Sequence, residues 1–398
     1  MQNTVNVKNN KSVTHIKTDS LGPKHQEMIF TCGSSYFTTL IQDIENATHS
    51  IYLEVYNFNR DSLGEKLAKV LSSAAKRNVT VKLLVDSAGT PSWGSSFTNP
   101  LEKAGVKTKI YHPFPWRFWQ WSHSVVKLPF ILKTIYLLLK MNSRNHRKVC
   151  IIDNKIAYIG SINVNACHLS KQDGGKGWRD TAVRLACLDF QELQAAFEAA
   201  WNHTQLQERL QRLFQHVNTN AVLRLNNTRH RRRILYKNLL RRIAKAKHRI
   251  WITNAYFLPD KFILKKLKDA AETGIDVRIL LPSVSDVPIM PLTSSMFYHS
   301  LLKSGVRIFE YLPSMLHAKS LILDDWFVIG STNLNSRSLL HDLEIDVNLQ
   351  HKISKNIIEL QFLKDLDASC EIQLNAWKKR AVYQRAIGQI LLFLRYWF

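Results

Sequence analysis

Two histidines, each followed at the second position by a lysine, are the groups in this sequence best suited to chemistry. The first stands in Asn145-His146-Arg147-Lys148 and leads to Asp153; the second stands in Leu316-His317-Ala318-Lys319 and leads to Asp324. Both spell H-x-K-x4-D, and both are followed by a short apolar run and G-S-x-N, at Gly160-Ser161-Ile162-Asn163 and Gly330-Ser331-Thr332-Asn333. One H-x-K-x4-D would arise by chance in a basic chain of this length on the order of once in twenty cases. Two copies with the same sequel are a signal. An imidazole can attack phosphorus or hand over a proton, and an ammonium can neutralise the charge that builds on non-bridging oxygens. If the two copies meet, they form a phosphoryl-transfer site in which one histidine becomes a covalent phosphohistidine and the other serves as acid. Ser161, Asn163, Ser331 and Asn333 would surround that site with hydroxyl and amide groups. Asp180 and Glu344 sit at matching places in Asp-Thr-Ala-Val-Arg-Leu and Glu-Ile-Asp-Val-Asn-Leu, and either could orient an imidazole. With four cationic groups supplying the charge, no metal or other cofactor is expected.

The elements that must position these residues are also stated twice. Each motif continues as an apolar run, a polar pair (Asp153-Asn154, Asp324-Asp325) and an apolar return, the pattern of a buried β-hairpin. Alternate side chains on a strand share a face, so each His and its Lys point the same way. Asp153 and Asp324 complete the motif and are counted with its catalytic residues, although by parity they face away from their histidines and are better placed to fix the turn than to react. Upstream of the first motif the pattern predicts a strand over Ser50 to Phe58 carrying Glu54 and Tyr56. A helix capped by Asp61 then runs to Arg77, with left-handed Asn78 beyond it, followed by a strand over Val79 to Asp86 and another from Ala104-Gly105-Val106 to Pro113. The same plan recurs as Ile250 to Phe257, a helix capped by Asp260, Gly274, a strand over Ile275 to Leu281, and Ser304-Gly305-Val306 to Pro313. This is a whole-domain duplication. It predicts an α/β fold of two similar domains, each a mixed β-sheet flanked by helices, packed about a pseudo-twofold axis. The expected organisation is a loose arm over 1–24, a first domain over 25–210, a second over 222–376 and a basic, aromatic tail over 377–398, with the join in Asn202 to Asn227.

The halves differ at one place. From Pro113 to His146 is 33 positions and from Pro313 to His317 is 4, so the first half carries an insertion over about 114–141. It contains Phe114, Trp116, Arg117, Phe118, Trp119 and Trp121, then an apolar helix over Pro129 to Met141 with Lys133 and Lys140. This is either core padding or a lipid-facing lip beside the first catalytic segment, since Trp with Arg and Lys suits a membrane interface. The tail, Ile387 to Phe398 behind Lys378-Lys379-Arg380, is too short to cross a hydrocarbon core of about 30 Å. It reads as a helix in the headgroup plane or one docked on the protein. A net charge of +24, from 55 Lys and Arg against 31 Asp and Glu, favours polyanionic partners: nucleic acid, anionic lipid or phosphorylated substrates. The basic run Arg229-His230-Arg231-Arg232-Arg233 is read as a solvated helix start or a phosphate contact. Cys32, Cys150, Cys167, Cys187 and Cys370 are odd in number and scattered, and read as reduced and buried. No Cys or His spacing suggests zinc, and no signal peptide or membrane span is visible.

The doubled H-x-K-x4-D with G-S-x-N resembles the phospholipase D superfamily over roughly residues 30 to 375. The finer similarity is to bacterial cardiolipin synthases of the short form. It rests on Tyr111-His112-Pro113-Phe114 before Arg144 to Lys148, on Gly177-Trp178-Arg179-Asp180, on Ser336-Arg337-Ser338 leading to Glu344, and on the tail ending Arg395-Tyr396-Trp397-Phe398. The resemblance implies metal-independent transfer of a phosphatidyl group through a phosphohistidine, from one phosphatidylglycerol to another with release of glycerol. It places His146, Lys148, His317 and Lys319 at the site, with Asn163, Asn333, Asp180 and Glu344 in support. It further implies phosphatidylglycerol and a membrane surface as partners rather than nucleic acid, and a peripheral place on the cytoplasmic side of a bacterial cell membrane. Two departures stand out: the two membrane spans that open the longer synthases are not seen, and the loop Val164 to Gly177, with Lys171, Asp173 and Lys176, is longer than its partner. The alternatives are a phospholipid hydrolase using the same site and a nuclease of the same superfamily. The acceptor alcohol, the identity of the nucleophilic histidine and the oligomeric state are left open.

Overall fold

A computed structural model describes residues 25–203 and 217–378. In the first half, strands β1 (Gln26–Phe30), β2 (Ser50–Val55), β3 (Thr80–Asp86), β4 (Lys107–Tyr111), β5 (Val149–Ile152), β6 (Ile156–Gly160) and β7 (Ala182–Ala186) form one sheet in the order β1-β7-β6-β5-β2-β3-β4. In the second half, β8 (Leu223–Leu225), β9 (Arg249–Thr253), β10 (Asp276–Pro282), β11 (Arg307–Tyr311), β12 (Ser320–Leu323), β13 (Trp326–Gly330), β14 (Ile345–Leu349) and β15 (Ser369–Glu371) run β15-β11-β10-β9-β12-β13-β14-β8. The second order repeats the first strand for strand and adds β15 at one edge. In each sheet three parallel strands (β2, β3, β4; β9, β10, β11) join an antiparallel set through the motif hairpin. Both sheets are therefore mixed, with helices on their faces, as the duplication predicts.

Local signals explain the boundaries. Asp61 accepts from Gly64 N at 3.0 Å and caps the helix Ser62–Lys76, which closes before Asn78 at φ 67°. Asp260 accepts from Phe262 N and Ile263 N and caps Lys261–Glu272, which closes at Gly274 with φ 89°. Two elements were not legible: β1 and the helix Gly33–Glu45 precede the first expected strand. β1 pairs antiparallel with β7, and Glu27 reaches the second half to accept from Gln350 N at 2.8 Å.

Three apolar cores result among the described residues. One lies within each half, and a third joins them, with Val149, Ile151, Ile159 and Val183 of the first sheet meeting Ala318, Ile329, Ile345 and Val347 of the second. The cysteines depart from expectation: only Cys150 and Cys167 are buried, while Cys32, Cys187 and Cys370 are exposed free thiols. The basic run opens the helix Arg229–Lys245, where Arg231 pairs with Glu192 and Arg232 donates to the carbonyls of Asn226 and Leu340.

The insertion packs on the core at a few points and leaves much of its apolar surface exposed. Its helix, Phe130–Leu139, is anchored by buried Leu137 and by Lys133, whose Nζ donates to the Trp121 carbonyl at 2.9 Å. The rest of its surface stays open: Phe130 is 64%, Ile131 71% and Leu139 79% exposed, beside exposed Trp116, Phe118 and Trp119. No described helix is long and apolar enough to cross a membrane. The tail over Ile387 to Phe398 and the arm over 1–24 lie outside the described residues.

Candidate active site

Each motif segment enters the site as extended chain just before its hairpin. Alternation then sorts the side chains of the first. Asn145 donates its backbone N–H to Asp86 Oδ2 at 2.8 Å and its amide to Glu54, while the Arg147 guanidinium lies 3.1 Å from Glu54 Oε1. Asn145 and Arg147 are thus tied to carboxylates at the ends of β2 and β3, in a buried pair that is strongly destabilised if either partner is lost. His146 and Lys148, one position out of phase, face the second half.

There the two halves exchange partners. His146 Nδ1 lies 2.9 Å from Glu344 Oε1 and 3.1 Å from Oε2, and His317 Nδ1 lies 2.8 Å from Asp180 Oδ1. Each histidine is held by the other half's carboxylate. The backbone follows suit: His146 N donates to the Leu343 carbonyl at 2.9 Å, and His317 N to the Arg179 carbonyl at 2.8 Å. Isolated parallel bridges, Asn145 with Leu343 and Arg179 with Leu316, complete the exchange.

The G-S-x-N segments build the floor. Ser161 Oγ donates to Asp180 Oδ1 at 2.8 Å, and Ser331 Oγ to Glu344 Oε2 at 2.5 Å, so each serine fixes the carboxylate that orients the opposite half's histidine. The glycines are required by close approach. A Cβ on Gly160 would fall 2.5 Å from Ala182 Cα, and one on Gly330 would fall 2.4 Å from the Ile345 carbonyl oxygen. Asn163 and Asn333 line the pocket between the histidines, a cavity of about 210 Å³. Tyr56 packs edge-on against His146 at 4.9 Å, and Trp178 lies 5.7 Å from His317. Lys148 Nζ donates to the His146 carbonyl at 2.7 Å, and Lys319 Nζ donates to the His317 carbonyl. Both lysines are buried.

Burial dominates the electrostatics. It holds His146 well below the ordinary histidine value, and the Lys148, Lys319 and Arg337 charges act in the same direction. Burial also lowers His317, with Lys319 adding to the effect and Asp180 opposing it. A neutral imidazole whose Nδ1–H is given to a carboxylate presents its Nε2 lone pair, the form that attacks phosphorus. Burial pushes Lys148 well below its usual value and Lys319 down to about 8. A phosphodiester anion near them would favour the ammonium form of both. The two carboxylates differ. Burial raises Glu344 to about 7 against the pull of Lys148 and Ser331, whereas Asp180, which burial alone would also raise, is held well below the carboxylate range by His168 and His317.

Asp153 and Asp324 do not join this site. Asp153 accepts from the backbone N–H groups of Thr48, His49 and Ser50 at 2.7–2.9 Å, and Asp324 accepts from those of Lys247, His248 and Arg249 at 2.8–3.0 Å. Both stand at the hairpin turn with positive φ, 52° and 49°. Membership of the motif overstates them; they join the turn to the start of the neighbouring strand.

Sequence reasoning missed His168, and it reached Arg337 only as part of Ser336-Arg337-Ser338, without a role in the pocket. His168 is buried, with Nδ1 2.6 Å from Asp180 Oδ2, and it lies five residues after Asn163, where the second half has Ser338 five residues after Asn333. Arg337 lines the pocket and lies 3.1 Å from Asp342; its counterpart four residues after Asn163 is Cys167. Aligning the two post-motif loops against each other would have exposed both differences. Among the described residues, His168, Asp180 and His317 also have ligand-type atoms within 4.8 Å of one another, as do His25, Glu27 and His351. In the first group both Nδ1 atoms are engaged by Asp180, and in the second His25 and Glu27 are hydrogen-bonded at 2.9 Å.

Residues 40–174 and 239–366 match the family described as cardiolipin synthase, PLD-like domain. The chain is 31% identical over 369 residues to a cardiolipin synthase of Halalkalibacterium halodurans, covering 90% of this chain and 69% of that protein. It is 29% identical over 418 residues to one of Clostridium perfringens, covering 97% and 83%. The fold is also that of a phosphatidylserine synthase from Haemophilus influenzae, with a TM-score of 0.61, 12% identity and 92% of each chain covered.

Proposed function

This chain belongs to the cardiolipin synthase family of phospholipase D-like proteins, and we propose that it transfers a phosphatidyl group from one phosphatidylglycerol to another, releasing glycerol and forming cardiolipin. The observation that carries this reading is the exchanged pair of dyads, His146 with Glu344 and His317 with Asp180, facing one pocket. One neutral imidazole attacks phosphorus through Nε2, the bond to the glycerol oxygen breaks, and the other histidine, which takes up a proton before the step and enters it as imidazolium, gives its Nε2 proton to the departing alkoxide. The primary hydroxyl of the second phosphatidylglycerol then attacks the phosphohistidine. Its proton returns to the second imidazole as the P–N bond breaks. Lys148 and Lys319 neutralise the non-bridging oxygens, while Asn163 and Asn333 offer amide donors to them. Asp180 and Glu344 hold the imidazole tautomers, and Ser161 and Ser331 hold the carboxylates.

Lipid reaches this site along the insertion. The exposed face of Phe130–Leu139, with Trp116, Phe118 and Trp119, suits a headgroup and acyl boundary. The chain then returns to Arg144, stacked 4.1 Å over Phe114, two residues before His146. A net charge of +24 favours an anionic leaflet. The protein accordingly sits peripherally on the cytoplasmic side of a bacterial membrane. The test is expression in a bacterium stripped of its own cardiolipin synthases, with lipids read by mass spectrometry. Cardiolipin should appear with the wild-type chain and not with His317→Ala. Phosphatidic acid in its place would establish a hydrolase, and cleavage of DNA or RNA in EDTA with no lipid product would establish a nuclease.

A further inference from the structure

The reaction just proposed is symmetric about the reacting phosphorus and asymmetric beyond it. Donor and acceptor both carry a phosphodiester, but the departing alcohol is neutral glycerol and the entering alcohol bears a phosphate of its own, three carbons from the attacking oxygen. The pocket has the same character. Its centre is built in duplicate, His146 and Asn163 answering His317 and Asn333. Its rim breaks the twofold at the fourth residue after the motif asparagine, which is Arg337 in the second half and buried, neutral Cys167 in the first. Arg337 is the one Lys or Arg among the cavity-lining residues of the described chain; the Lys148 and Lys319 ammonium groups donate to the main-chain carbonyls of His146 and His317. Its side chain is 21% exposed, and it pairs with Asp342 at 3.1 Å. The other carboxylate on the wall, Asp286, accepts from Tyr256 at 2.7 Å on the His317 side, so that side disfavours a second anion.

We propose that Arg337 reads the acceptor's own phosphate and so selects a phosphate-bearing alcohol over a neutral alcohol or water. The inference rests on the phosphatidyl-transfer reading above and names the residue that decides which hydroxyl completes it. A guanidinium is suited to this, because its fork matches two phosphate oxygens at once. Asp342 gives the guanidinium its resting partner, from which an incoming phosphate takes one edge. The covalent step is unchanged: the acceptor hydroxyl oxygen bonds to phosphorus, the P–N bond breaks, and the hydroxyl proton passes to the second imidazole.

The test follows the fate of one phosphoenzyme with two acceptors. Purified enzyme is given phosphatidylglycerol vesicles and isotopically labelled glycerol. Cardiolipin then reports the phosphate-bearing acceptor, and label entering phosphatidylglycerol reports the neutral one. Arg337→Gln should lower the ratio of cardiolipin to labelled phosphatidylglycerol at least tenfold, and Arg337→Lys, which keeps the charge, should recover part of the loss. The ratio does not depend on how much enzyme is folded. An unaltered ratio in Arg337→Gln overturns the inference, whether both products persist or both fall together, the latter meaning that Arg337 serves the donor or the fold. Wild-type enzyme that makes neither product overturns the transfer reading itself.

Discussion

His146 Nδ1 and Glu344 Oε1 lie 2.9 Å apart although 198 positions separate them in the chain, and His317 and Asp180 repeat the relationship in the opposite direction. Neither half holds a complete dyad. In the proposed reaction the association of the halves is therefore a condition of chemistry, and it is accompanied by backbone bridges between Asn145 and Leu343 and between Arg179 and Leu316.

Removing one carboxylate should disable the histidine it holds while leaving lipid binding in place. Glu344→Gln and Asp180→Asn are each expected to lower kcat by about 10²-fold or more, with KM changed by no more than about threefold. Steady-state kinetics on mixed micelles separate the two constants. A rise in KM with kcat preserved would mean that the carboxylates serve binding instead.

The motif aspartates should behave differently. Asp153→Asn removes a carboxylate that accepts three backbone N–H groups and the Thr48 hydroxyl, and should cost about 2 kcal/mol of stability. The activity of the folded fraction should stay within a few-fold of wild type. Those hydrogen bonds, against the cost of burial, hold Asp153 below its usual value, so its contribution is present above the ordinary carboxylate range and disappears as pH falls through the lowered folded value. Denaturation midpoints at two pH values beside specific activity decide the matter; a 10³-fold loss of activity in a stable variant would return Asp153 to the chemistry.

Much of this was legible in the sequence because repetition made it so. The doubled motif, the capping aspartates Asp61 and Asp260, and the left-handed Asn78 and Gly274 mark local events that one sequence position can dictate. The parity of the motif segment also held, with His146 and Lys148 on one face and Asn145 and Arg147 on the other. What escaped depends on partners distant in sequence. Glu54 is an acidic residue in an apolar strand until Arg147 and Asn145 fold against it. His168 is a loop histidine until Asp180 meets it. Asp180 and Glu344 were recognisable as orienting groups, but their exchange between halves is a property of the packing.

The pH profile carries the asymmetry of the two dyads. Glu344 ionises near 7, and Lys319 keeps its ammonium below about 8 and loses it above. kcat/KM should rise as pH increases through about 7 and fall as it passes about 8, giving a narrow bell. Glu344→Gln should remove the acidic limb from the residual activity. A profile that stays flat from pH 6 to 10 would contradict these assignments.

The insertion should separate lipid access from chemistry. Trp119→Glu combined with Leu138→Glu alters two exposed side chains, 53% and 51% open, so the fold should tolerate the change. Activity on phosphatidylglycerol vesicles should fall at least tenfold, and turnover of a soluble short-chain phosphodiester should fall far less. Equal losses on both substrates would mean that the insertion supports the core rather than lipid entry.

A single site shared by the two halves is the proposed unit of catalysis. It is tested most directly by measuring phosphatidyl transfer in EDTA for His146→Ala and His317→Ala separately. Nucleophile and acid are different imidazoles in this account, so each single variant should lose at least ~10³-fold in turnover, and wild-type enzyme should be unaffected by the chelator. A single variant that kept more than a tenth of wild-type activity, or wild-type activity lost in EDTA and restored by zinc or magnesium, would contradict it.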